Sequence, residues 1–157
     1  MKNNYEFIYT CDLGKFLIVH SDEEVLELNF LNGNEKDAIK EKKNEFSENI
    51  ILQLNEYFSG YRKSFDLKLN LSGTKFQKKV WEALGNIPYG ETKSYKEIAI
   101  EVGIPKAFRA VGSANNKNPI PIIIPCHRVI GKNGKLVGFA GGLHLKEKLL
   151  QLEKSSR

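Results

Sequence analysis

Pro125-Cys126-His127 sets a thiol beside an imidazole. A base that takes the proton from a cysteine leaves a thiolate, the form that acts as a nucleophile. The stretch that carries the pair runs Asn118-Pro119-Ile120-Pro121-Ile122-Ile123-Ile124-Pro125-Cys126-His127-Arg128-Val129-Ile130, with three prolines in seven residues. Each proline removes a backbone donor and fixes φ, so the segment is expected to be neither an ordinary helix nor a central strand. It reads instead as a rigid, mostly apolar support. Neighbouring side chains of an extended chain point to opposite sides, so a water bridging thiol and imidazole is expected rather than direct contact. A packed thiol beside a satisfied core histidine would look the same, and the pair alone leaves both readings open.

The remaining cysteine and histidines suggest no further chemistry. Cys11 lies far from Cys126, and adding His20, His127 and His144 produces no zinc-site spacing. No structural metal, no cofactor and free thiols are expected. The start, Met1-Lys2-Asn3-Asn4-Tyr5, lacks the apolar core of a signal peptide. No apolar run approaches the roughly twenty residues of a membrane helix. A cytoplasmic protein without a membrane partner is the expectation, and a monomer is the simplest assembly.

Charge is unevenly placed. Residues 1–70 carry 9 Lys/Arg against 13 Asp/Glu, a balance of −4, whereas residues 71–157 carry 15 against 6, a balance of +9. A basic half suits a polyanion, because Lys and Arg release counterions from phosphates, and equally suits a solvated surface.

The elements that must position the Cys-His pair follow from periodicity and punctuation. Tyr5–Thr10 and Lys15–His20 flank the turn Asp12-Leu13-Gly14, and Val25–Phe30 alternates as a half-buried strand closed by Asn32-Gly33-Asn34. Phe46, Ile50, Leu54 and Tyr57 recur at helical spacing up to Gly60, and Phe65–Leu71 reads as another strand. Ser72-Gly73 is the expected boundary between a small α/β domain, residues 1–71, and a mostly helical domain, residues 72–157. Thr74 with Gln77 and Ser94 with Glu97 are capping boxes that start two helices. Gly103 makes a short turn, and Pro105 is expected in the first turn of a further helix to about Asn115. This is the pattern of a helix-turn-helix. Its second helix should bury Ala107, Val111 and Ala114 and expose Lys106, Arg109, Ala110 and Ser113, a bare face with one long residue.

Pro125-Cys126-His127-Arg128-Val129, with Asn118-Pro119 and Pro121 before it, resembles the active-site signature of the O6-alkylguanine-DNA alkyltransferases. Further matches are Trp81-Glu82-Ala83-Leu84, Ile87-Pro88-Tyr89-Gly90-Glu91-Thr92, Ser94-Tyr95, Arg109-Ala110-Val111-Gly112 and Gly138-Phe139-Ala140-Gly141-Gly142-Leu143. Together they run in order over about residues 74–153.

The resemblance implies a ribonuclease-H-like N-terminal domain and a winged-helix-like helix-turn-helix in the second. It implies transfer of an alkyl group from O6 of guanine in duplex DNA to Cys126, once per chain, with O4-methylthymine as a further substrate left open. His127 would be the water-mediated base and Glu153 would orient it. Tyr95 would turn the nucleotide out and give a proton to the leaving guanine. Arg109, with Ala110 beside it, would enter the minor groove and fill the gap. Asn118 would brace the turn, the Val129 backbone would face the base, and Lys96 and Lys132 would meet phosphates.

The sequence departs from relatives at Ile104, where several carry Asn, and at Phe139-Ala140, where some carry Tyr-Ser. Cys11 and His20 are too few for the zinc that some relatives hold. Gly138, Gly141 and Gly142 suggest room for alkyl groups larger than methyl. Three rivals remain at this point: a non-reacting alkyltransferase-like sensor, which typically has Trp in place of Cys126, a transcription regulator, and a Cys-His hydrolase.

Overall fold

A computed structural model describes residues 3–33, 35 and 38–156. The chain divides into two compact units, Met1–Leu71 and Ser72–Arg157.

In the first unit, β1 (Tyr5–Cys11), β2 (Gly14–His20) and β3 (Val25–Phe30) form an antiparallel sheet in sequence order. Cys11 pairs with Gly14, so Asp12 and Leu13 are the turn, and Gly14 takes φ 137°. Asn34 of the expected turn after β3 lies outside the described residues. The alternation along β3 is broken at Val25, which strict alternation would place on the face of Glu27 and Asn29 but which is fully buried. The cause is a register shift at Val19/His20, where His20 pairs with Val25. Helix α1 (Glu45–Phe58) is capped by Asn44 and buries Ile50, Leu54 and Tyr57.

The expected strand Phe65–Leu71 does not form. Only Leu69 bridges to β3, through Val25 N–H to Lys68 O and Asn70 N–H to Val25 O, both 2.9 Å. The Gln53 side chain takes both backbone groups of Asp66, at 3.0 and 2.8 Å, and so does the work of a strand partner there. His20 is a satisfied core residue, with Nδ1 2.6 Å from Ser21 O and Nε2 2.6 Å from Ser47 Oγ.

The second unit is built on α2 (Lys75–Gly85), α3 (Tyr95–Glu101), α4 (Phe108–Asn116) and α5 (Leu143–Ser155). Both capping boxes form as the sequence predicts. A two-residue parallel ladder joins β4 (Lys93–Ser94) to β5 (Val129–Ile130). Trp81 Nε1 donates to Ala114 O at 2.9 Å and ties α2 to α4. Gly73 is a glycine because the Trp81 ring lies over it: a Cβ there would stand 2.6 Å from the ring.

Helix α4 begins later than expected. Pro105 and Lys106 are the middle of a turn closed by Ala107 N–H to Ile104 O at 2.9 Å, and Phe108 is the first helical residue. Ile104 has no side-chain oxygen to cap a helix, whereas the fixed φ of proline suits the second position of a β-turn. Val111 and Ala114 are buried, and Arg109, Ala110 and Ser113 are exposed, as the periodicity requires, whereas Ala107, expected inside, is the N-cap and only half-buried.

Candidate active site

Cys126, His127 and Arg128 make a single 3-10 turn, not the extended chain on which the expectation of opposed side chains rested. Side chains of consecutive residues in such a turn diverge by a third of a revolution. Beneath it, Asn118 spans the preceding turn: its Nδ2 donates to Ile124 O at 2.8 Å and its Oδ1 accepts from Ile120 N at 2.9 Å. Ile122 sits in that turn at φ 75°, a costly conformation for a β-branched residue, and is held there by complete burial.

His127 is wholly buried. Its Nε2 lies 2.6 Å from Glu153 Oε2 on α5. Arg128 turns inward too, its Nε 2.7 Å from Glu153 Oε1, its Nη2 3.1 Å from Oε2 and its Nη1 donating to Ile87 O at 2.7 Å. Gly90 N–H adds a bond of 3.3 Å to the same carboxylate. Burial alone would raise the Glu153 carboxyl, but the hydrogen bonds and charges of His127 and Arg128 outweigh it and hold it well below the usual carboxylate range. Burial pushes the His127 imidazole the other way, below its ordinary value, against the pull of Glu153. A neutral imidazole facing a carboxylate carries its proton on Nε2. Nδ1 is then an acceptor, and it is buried with no protein partner among the described residues.

The Cys126 thiol is 4% exposed. Burial pushes it up to about 11, against smaller lowering effects from Asn118 and the Lys146 ammonium. It is a neutral thiol at rest. Tyr95, the first residue of α3, donates its hydroxyl to Val137 O at 3.1 Å. Burial and the nearby Cys126 both raise it, so it keeps its proton. Lys146 Nζ donates to the same Val137 carbonyl at 2.9 Å. These two bonds, with Asn116 packed where a Gly138 Cβ would be (3.1 Å), fix the loop before α5. Gly138 therefore provides no free room, whereas Gly142 faces open space.

Among the residues singled out by sequence, Cys126, His127, Glu153, Tyr95 and Asn118 converge, directly or through a shared partner. Val129 is buried in the ladder beside Lys93, its N–H given to Cys126 O. Lys96, Arg109, Ala110 and Lys132 are exposed and outside this cluster. Arg128 and Lys146 received no role from sequence. Helical spacing could have found Lys146, which lies on the stripe of Leu149 and Glu153. Nothing local shows that Arg128 turns inward.

The model of the 6-O-methylguanine DNA methyltransferase ribonuclease-like domain matches residues 4–71, and that of the 6-O-methylguanine DNA methyltransferase DNA binding domain matches residues 75–155. The fold is thus a ribonuclease-like domain followed by a DNA-binding-type domain, of mixed α/β content. The methylated-DNA–protein-cysteine methyltransferase of Methanosarcina barkeri is 52% identical over 97% of this chain and 98% of its own. The constitutive enzyme of that name from Bacillus subtilis is 44% identical over 98% and 97%. The crystal structure of Mycobacterium tuberculosis O6-methylguanine methyltransferase superimposes with a TM-score of 0.89 at 43% identity, covering 99% of this chain and 95% of that one. The M. tuberculosis OGT in complex with DNA superimposes at 0.87 with 46% identity, covering 95% and 92%. The chain belongs to the 6-O-methylguanine DNA methyltransferase family and is an enzyme of the methylated-DNA–protein-cysteine methyltransferase class.

Proposed function

We propose that this protein repairs duplex DNA by moving the alkyl group of O6-alkylguanine onto Cys126, one lesion per chain, as a monomer without a cofactor in the cytoplasm. The observation that carries the reading is the arrangement behind Cys126. His127 Nε2 is fixed on an ionised Glu153, and the unpartnered Nδ1 is left as the only basic atom of the ring. A water between Nδ1 and the thiol completes the path for the proton. Thiolate then attacks the alkyl carbon in line: a C–S bond forms, the C–O6 bond breaks, and the electron pair leaves on guanine. Tyr95 offers its proton to that developing anion. The product thioether has no easy hydrolysis, so the site is spent.

The carbon attacked lies inside the duplex, so the nucleotide must leave the stack, at a cost of a few kcal/mol. In this reading residues 1–71 and 72–157 are the two functional domains, and α3, the turn and α4 form a winged-helix-like reader laid in the minor groove. Arg109 and Ala110 enter it, Arg109 takes the vacated place, and Lys96 and Lys132 meet phosphates. Asn118 keeps the cysteine turn in shape and the Val129 backbone faces the base. The DNA complex of the M. tuberculosis relative supports DNA as the partner. O4-methylthymine offers the same in-line chemistry and is the second substrate to try.

The test is stoichiometry. With a labelled methyl group on O6 of guanine in a duplex, label is expected to pass to protein and stop at one per chain, and C126A should accept none. Turnover beyond one, or transfer to C126A, would overturn the proposal.

A further inference from the structure

Helix α4 opens with an exposed aromatic residue that the helix-turn-helix reading leaves unused. Phe108 is its first residue and is 49% exposed, next to exposed Arg109. Its N-cap, Ala107, contributes no capping side chain, and exposed Lys106 stands just before it. One turn on, Gly112 shares its stripe and faces the Tyr95 ring, where a Cβ would lie 3.8 Å from Cδ1 and Cε1. The Phe108 stripe therefore runs on the Tyr95 side of α4, between that tyrosine and the bare face of Arg109. Side chains on a helix lean toward its N-terminus, so the Phe108 ring stands at the leading edge of α4.

A large apolar ring flanked by Lys106 and Arg109, in the half of the chain with a balance of +9, suits a partner that offers both phosphates and flat apolar faces. Stacked bases offer both. Minor-groove proteins part base steps with apolar wedges such as Phe, and aromatic–base stacking is worth enough to change a binding constant about tenfold.

We propose that Phe108 is a second wedge: it stacks on the base pair next to the extruded nucleotide while Arg109 fills the gap. The proposal rests on the DNA reading above and adds a residue that sets how readily the duplex opens.

The test separates the two layers by using O6-methylguanine both as a free base and within a duplex. Reaction of the parent protein with the free base reports the Cys126 site without any duplex to open. F108A is expected to lose about tenfold in its duplex rate relative to its own free-base rate, and F108W to recover most of it. Because Trp81 is the sole tryptophan and is buried, the new indole of F108W can be followed on its own against that background. Its fluorescence should be quenched on binding duplex. An unchanged ratio in F108A, equal loss in both reactions, or an indole left unquenched would overturn the wedge while leaving the Cys126 chemistry intact. Failure of the parent to react with either form would instead overturn the reading on which the wedge rests.

Discussion

Burial pushes the Cys126 thiol up to about 11, so the resting protein holds it protonated, and in the proposed reaction His127 removes the proton when substrate is in place. The thiolate fraction grows as pH rises toward that value. Alkylation of Cys126 by a small haloacetamide, read by peptide mapping, should therefore keep accelerating through pH 9 and reach half its maximum near 11. A plateau already at pH 7 would show a thiolate at rest.

Glu153 sits under the opposite influence. Its folded carboxyl is depressed, so the stability it contributes is present above the ordinary value of 4.5 and lost as pH falls through and below it. The lowered His127 acts in the same sense, since the unfolded chain takes up the proton near 6.5 before the folded one does. Urea midpoints should fall steadily from pH 7 to pH 4. Glu153→Gln should flatten the lower part of that fall. It should also cost about 3–5 kcal/mol at pH 7, because Arg128 is left as a buried, uncompensated charge. Cys126 and His127 could be singled out from sequence because they are adjacent. Their surroundings could not: Arg128 and Lys146 are ordinary surface residue types until the turn and α5 carry them inside.

At the scale of elements, local signals were legible and competing ones were not. A capping box is closed within four residues, so Thr74/Gln77 and Ser94/Glu97 could be read directly and fixed the starts of α2 and α3. The Ser94 cap also places Tyr95 at the head of α3. Pro105 was ambiguous, because the same fixed φ serves a helix start and the second position of a β-turn. Residues 65–71 alternate in burial as a strand would, yet ladder formation depended on Gln53 and β3, which no local pattern reveals. The strained turn beneath Cys126 tests the element view. Asn118→Ala removes the two hydrogen bonds, to Ile120 N–H and Ile124 O, that brace the turn containing Ile122, and should cost about 1–3 kcal/mol. Its rate of methyl transfer should fall by more than that of Ser94→Ala, which loses only a cap of about 1 kcal/mol. Equal rates in the two variants would show that the turn does not position the thiol.

Over the whole molecule, charge segregates with structure: the acidic part is the sheet-bearing unit, and the basic part is the helical unit with the cysteine. Affinity of the protein for undamaged duplex should fall steeply with salt. Replacing Lys96 or Lys132 by alanine should each reduce the slope of log affinity against log salt by about one. An unchanged slope would remove that lysine from the phosphate contacts.

In the proposed reaction Cys126 itself becomes the alkylated product. Intact mass before and after incubation with duplex carrying O6-methylguanine, followed by peptide mapping, reads this directly. A gain of one methylene unit is expected, confined to the peptide containing Cys126 and saturating at one per chain, with guanine restored in the DNA. Lesion-selective binding with no change in mass, or methyl found on Cys11, would contradict it.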